Sequence, residues 1–222
     1  TVFISTDLID ANMNNYLNWD EIRLLIKEGV SIGAHTKSHP HLHDLSVEEI
    51  KSEIEYSNKR FLEELNEIPR LFAYPFGETT TEIIKIIKDY KFKASFGQHS
   101  GVINETSDFN YLPRFSLNEK YGNIDRVIFS ANAKGLGIYD LTPYNPLINE
   151  NPPFIGFSLL DKNLSNSELE KSCSIFDEVD YIFSDYLSKF KIYCLFNSNK
   201  DNEAQLLFDL KKELGMKDSF FE

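Results

Sequence analysis

The chain has 222 residues, 41% of them hydrophobic and 26% charged, which is enough for a self-supporting core and excludes a disordered or collagen-like polymer. Its 23 basic residues stand against 35 acidic ones, a net charge of −12 with no basic cluster, so a phosphate backbone would be repelled and nucleic acid is not an expected partner. No apolar run approaches the length of a membrane span.

In chain order, Thr1–Ser5 (TVFIS) reads as a short buried strand. Asn18 opens a helix, with Glu21 three residues on as in a capping box and Gly29 at its end. A strand at 30–34 (VSIGA) follows. Ser46, with Glu49, opens a long amphipathic helix to about Leu65. RLFAY (70–74) is a strand, and residues 80–90 form a helix with apolar positions at 83, 84, 86 and 87. KASF (93–96) is a strand, and YLPRFSL (111–117) another, with Pro113 confining it to an edge or its first residues. Residues 123–134 read as a helix and 137–141 as a strand. This strand–helix alternation predicts a parallel α/β sheet or barrel over residues 1–141, with its active site at the carboxyl ends of the strands.

The rhythm changes after Asp140. Residues 142–222 read as a Pro- and Asn-rich connection (142–153) and a β-rich appendage with strands at 153–160 and 190–196, ending in a helix at 202–216. The two cysteines, Cys173 and Cys194, permit one disulfide without requiring it. The chain starts on an apolar β-run, with no Met, basic n-region or signal peptide, so we expect it to be an N-terminally truncated form.

Four of the five histidines fall within residues 35–43, in the segment GAHTKSHPHLH (33–43). Gly33 and Pro40 argue against a helix here, which leaves a strand end and the loop after it. His35 and His39, four apart on a tight loop, can hold a divalent cation such as Zn²⁺, though a catalytic site needs a third ligand. The competing reading is a solvated His-rich loop; His41 and His43 read as packing or surface residues. FAYPFG (72–77) also follows a strand. Its Tyr74, Pro75 and Phe76 could offer an aromatic wall to a sugar ring or a backbone N–H, or form an ordinary proline turn. Arg114 in LPRF (112–115) could orient a carboxylate or form a surface ion pair. His99 in QHSG (98–101) is a candidate general acid or a surface residue.

Together and in this order, these segments resemble the polysaccharide deacetylases with NodB homology, carbohydrate esterase family four, over about residues 1–140. GAHTKSH is similar to that family's His-Thr-x-x-x-His motif, and FAYPFG to its proline motif, with Phe76 where the family has tyrosine. VFISTD followed by NWDEIR resembles its second strand and helix, and LPRF the segment carrying its later arginine. The resemblance implies an incomplete, irregular (β/α)7 barrel and metal-dependent removal of N-acetyl groups from amino sugars of a polysaccharide or oligosaccharide. It implies His35 and His39 as metal ligands, the Phe76 amide as oxyanion donor, and an acetylated glycan as partner. It also implies a cell-envelope or secreted location.

Two departures stand out. The family's Thr-Phe-Asp-Asp motif, which supplies the base and third ligand, lies on the strand before TVFIS and is absent; Asp7 and Asp10 do not match it. No Leu-x-His acid motif follows Arg114, which leaves His99 as a substitute. Two rival readings are therefore a catalytically inactive carbohydrate-binding or scaffolding protein on a degenerate barrel, and a glycosidase-like barrel using Glu78 and Asp140. Assembly with further copies of the chain stays open.

Overall fold

The computed structural model describes residues 1–13, 15–117, 122–135, 137–147, 155–159 and 194–196. The chain divides into two units, Thr1–Gly135 and Leu136–Glu222.

The first unit is built on four parallel strands in the order β1-β2-β3-β4: β1 (Val2–Ile4), β2 (Ile32–Ala34), β3 (Leu71–Ala73) and β4 (Ala94–Phe96). Phe3 sits opposite Gly33, Ala34 opposite Phe72, and Phe72 opposite Ser95. Each connection carries helix: α1 (Thr6–Asp10) and α2 (Trp19–Lys27), then α3 (Val47–Leu65), then α4 (Thr81–Asp89). The expected helix at 123–134 is α5 (Ile124–Asn132).

The caps act as the sequence predicts. Asn18 and Glu21 exchange side-chain and backbone hydrogen bonds at 3.0 and 2.9 Å, and Ser46 and Glu49 form the same reciprocal box at the start of α3. Thr80 and Asn123 accept from Ile83 N and Arg126 N to cap α4 and α5. Asn66 ends α3 in the left-handed region. α1 has no sequence forecast, because five residues are too short to show a helical period.

The core lies between sheet and helices. α3 contributes Ile50, Ile54 and Phe61, α4 contributes Ile83 and Ile87, and α2 contributes Trp19 and Ile22. Trp19 meets Phe61 edge-on at 5.8 Å, and Phe72 on β3 packs between Tyr74 and Phe92.

Two expectations change. The strand at 111–117 contracts to a single parallel bridge, Phe96 to Leu112, with Leu112 N donating to Ser95 O and Gly97 N to Leu112 O. Pro113 has no N–H, so the ladder stops there. The strand at 137–141 forms as β5 (Ile138–Thr142) but does not join the parallel sheet: it pairs antiparallel with β6 (Ile155–Leu159), which pairs parallel with β7 (Cys194–Phe196). The division thus falls after Gly135, upstream of the 141 boundary read from the sequence, since β5 takes its partner from later in the chain. The terminal helix at 202–216, Cys173 and the rest of the appendage lie outside the described residues. Among those described, no helix is long and apolar enough to cross a membrane.

Candidate active site at the strand ends

The four parallel strands deliver Ser5, His35, Tyr74 and Gly97 to one edge of the sheet. The loop after β2 is pinned on both sides. His35 N donates to Ile4 O, Ser5 Oγ donates to His35 O at 2.7 Å, and Asp7 N donates to Lys37 O. From the other side, the Glu53 carboxylate on α3 accepts from Lys37 N, Ser38 N and Ser38 Oγ. Thr36 is fully buried and its hydroxyl accepts from His39 N at 3.1 Å.

This pinning holds the backbone in costly conformations. Thr36, His39 and Phe76 have φ of +66°, +61° and +57°. Left-handed backbone is disfavoured for residues bearing a Cβ, most of all β-branched ones, and costs roughly 1–3 kcal/mol each. Such strain on two adjoining loops is typical of positions where geometry serves chemistry.

The His35 ring is oriented by a 2.7 Å hydrogen bond between its Nδ1 and Ala73 O. A carbonyl only accepts, so Nδ1 carries the proton and Nε2 keeps its lone pair. Burial pushes the His35 pKa down to about 4, against the Ala73 bond, with His39 and Arg114 adding to the fall. Burial also lowers His39, whose ring meets that of His35 edge-on at 4.7 Å. Two neutral imidazoles, one locked by a carbonyl behind it, fit two of the ligands of a borderline divalent cation such as Zn²⁺.

The turn after β3 faces this pair. Pro75–Gly77 is a 3₁₀ turn. Phe76 is its second residue, where an amide has no acceptor within its own turn. The Phe76 ring is 42% exposed and lies between His39 (4.5 Å) and His41, on which it stacks at 3.9 Å. Tyr74 and Pro75 differ. Tyr74 is fully buried, its ring edge-on to Phe72 and Tyr111 and its hydroxyl donating to Asn110 O at 2.8 Å; Pro75 is buried too. Both shape the turn from below, and of the three only Phe76 is exposed. Tyr111 OH ties the turn down through Gly77 O.

Arg114 is held after β4: its N donates to His99 O and its Nε to Gly97 O at 2.8 Å. Its guanidinium stands 5.9 Å from the Phe3 ring, which is 6.3 Å from that of His35. Arg114 thus approaches the histidine pair across Phe3 rather than forming a surface ion pair. The His99 ring packs on Tyr111 at 4.5 Å, and burial holds its pKa below the ordinary value.

The remaining carboxylates have structural partners. Asp10 accepts from Trp19 Nε1 and from Arg60, and Asp7 lies 3.9 Å from Lys37 Nζ. Glu78 contacts His41 and His43. Asp140 belongs to β5, in the second unit. The association of Glu78 with His41 and His43 was not legible in the sequence: 37 residues separate Glu78 from His41, and no local spacing signals that approach.

Fold and site together define a parallel α/β segment with an imidazole pair at its strand ends. Residues 1–95 match the family described as polysaccharide deacetylase. Among solved structures, the chain is similar to a Streptococcus pyogenes deacetylase, PplD, in complex with acetate, at 19% identity and a TM-score of 0.53, covering 57% of this chain and 55% of that one. It is likewise similar to BC0361, a polysaccharide deacetylase from Bacillus cereus, at 17% identity and a TM-score of 0.51, covering 58% of this chain and 40% of that one. The chain therefore spans about half the length of these structures, and the likeness is one of fold. No curated protein matches in sequence. Over residues 1–95 the chain is thus similar to the polysaccharide deacetylase family, and its four-stranded parallel sheet has the fold of the deacetylase structures it matches.

Proposed function

We propose that this chain contributes the histidine face of a metal-dependent deacetylase acting on N-acetylated amino sugars of a glycan. The observation that carries this reading is the His35 imidazole, locked by Ala73 O with His39 at 4.7 Å, facing the strained turn that presents Phe76.

His35 and His39 would hold the cation through ring nitrogens kept neutral by burial. When bound, such a cation polarises the scissile carbonyl and brings a water's pKa toward ~7. This chain's own residues act beside it on the carbonyl and the sugar. The Phe76 amide donates to the oxygen that becomes negative as water adds to the amide carbon. The exposed Phe76 ring gives the sugar an apolar face. Arg114 adds fixed positive charge beside the histidine pair, through the contacts that anchor it to Gly97 O. His99 positions Arg114 by accepting from its backbone N–H.

The test is acetate release from N-acetylated glycans by the product of the complete reading frame that contains this chain, with glycan binding measured in parallel. Release that disappears in His35→Ala, with glycan binding retained, supports the proposal. Glycan binding without release in the metal-loaded protein would move the reading to a carbohydrate-binding role. Neither binding nor release from any acylated glycan overturns it.

A further inference from the structure

On the other side of the Phe76 ring from His39 lies a second group of ligating side chains, which the deacetylase reading does not use. His41 Nδ1 is 2.7 Å from Glu78 Oε2, and His43 Nδ1 is 3.4 Å from the same oxygen. One ligand atom from each of the three residues falls within 4.8 Å of the others, the only such three-residue cluster among the described residues. Ligand atoms around a tetrahedral cation with bonds near 2.05 Å stand roughly 3.4 Å apart. The two separations to Glu78, 2.7 and 3.4 Å, lie at or below that value, so small adjustments would seat one ion among the three groups.

Two further contacts resemble a prepared site more than a chance ion pair. His43 Nε2, the nitrogen not directed at Glu78, lies 3.3 Å from Asp44 Oδ1. A ligating histidine commonly donates its second N–H to a carboxylate in this way, which fixes its tautomer and ring plane. His41 is fixed differently, stacked on Phe76 with 7° between the ring planes. Glu78 is itself mostly shielded, its side chain 17% exposed.

We propose that His41, His43 and Glu78 form a second divalent-cation site, distinct from the His35–His39 pair. Two imidazoles and one carboxylate select a borderline ion of the Zn²⁺, Co²⁺ or Ni²⁺ type over Ca²⁺ or Mg²⁺, which prefer all-oxygen shells. Three protein ligands leave one position for water. The site bridges the loop after β2 and the turn after β3, so its ion clamps together the two segments that present His39 and Phe76. The inference stands whether or not the protein releases acetate.

The experiment is Co²⁺ titration of the full chain, read by visible absorption, with bound cobalt counted by equilibrium dialysis. The variants are His43→Ala, Glu78→Gln, Asp44→Asn and His39→Ala, each checked for an unchanged metal-free melting temperature. His43→Ala and Glu78→Gln should each lose one bound Co²⁺ per chain that His39→Ala retains. Asp44→Asn should weaken that same site by about 10–100-fold. Wild-type stoichiometry and affinity in His43→Ala and Glu78→Gln overturn the proposal and leave an ion-pair cluster. Loss of all cobalt in His39→Ala, or no cobalt bound by the unaltered chain, also overturns it.

Discussion

Gly77 offers a direct test of how tightly the turn after β3 is built. It has φ of +74°, and a Cβ placed on it would lie 2.4 Å from the backbone N of Gln98 and 2.6 Å from Gln98 Cβ. Gly29, at the end of α2, has φ of +85° and nothing within 4 Å of such a Cβ. Gly→Ala at either position places a Cβ in the left-handed region, at roughly 1–2 kcal/mol. Only Gly77→Ala adds a clash with a neighbouring backbone that cannot swing aside, at roughly 1–3 kcal/mol. The expected losses are thus about 1–2 kcal/mol for Gly29→Ala and about 2–5 kcal/mol for Gly77→Ala. For a unit of this size each kcal/mol moves the melting temperature by roughly 4 °C, so the shifts should be about 4–8 °C and about 8–20 °C. Thermal unfolding followed by far-ultraviolet circular dichroism measures both. If Gly77→Ala melts no lower than Gly29→Ala, the close approach of the turn to Gln98 is not real, and the packing that presents Phe76 is misjudged.

Tyr74→Phe removes the donor to Asn110 O and leaves that carbonyl unpaired, so it should lower stability by roughly 1–3 kcal/mol and leave glycan affinity unchanged; weaker glycan binding at an unchanged melting temperature would return Tyr74 to the substrate wall. Burial pushes the Asp10 carboxyl up, but hydrogen bonds from Arg60 and Trp19 outweigh it and set its pKa below the ordinary 3.8. A depressed folded-state pKa gives stability that is full above the unfolded value and lost as pH falls through the folded one, so Asp10→Asn should flatten the fall in stability below about pH 4. Urea midpoints across that range would show it, and an unchanged slope would refute it. Ser46→Ala should cost about 0.5–2 kcal/mol through loss of the α3 capping box, measured by chemical denaturation, whereas a neutral result would mean that α3 is held by its buried face alone.

The sequence by itself determined the elements whose signals are local. Asn18–Glu21 and Ser46–Glu49 mark helix starts within four residues, and the apolar runs at 30–34, 70–74 and 93–96 are recognisable as strands from local composition before their pairing is known. His35 and His39 were legible for the same reason: their spacing, with Gly33 before and Pro40 after, already implies imidazoles on a loop at a strand end. What only the tertiary structure decided depends on partners far along the chain. Tyr74 looks like a sugar-facing aromatic until Asn110, Phe72 and Tyr111 close over it. Residues 137–141 look like one more strand of the parallel sheet until β5 pairs with residues 155–159. Glu78 carries no local mark of the two histidines it meets, because their approach is set by the parallel order of β2 and β3, which brings two loops to one edge of the sheet. Periodicity and capping act over a few residues; burial and side-chain convergence depend on the whole packed unit.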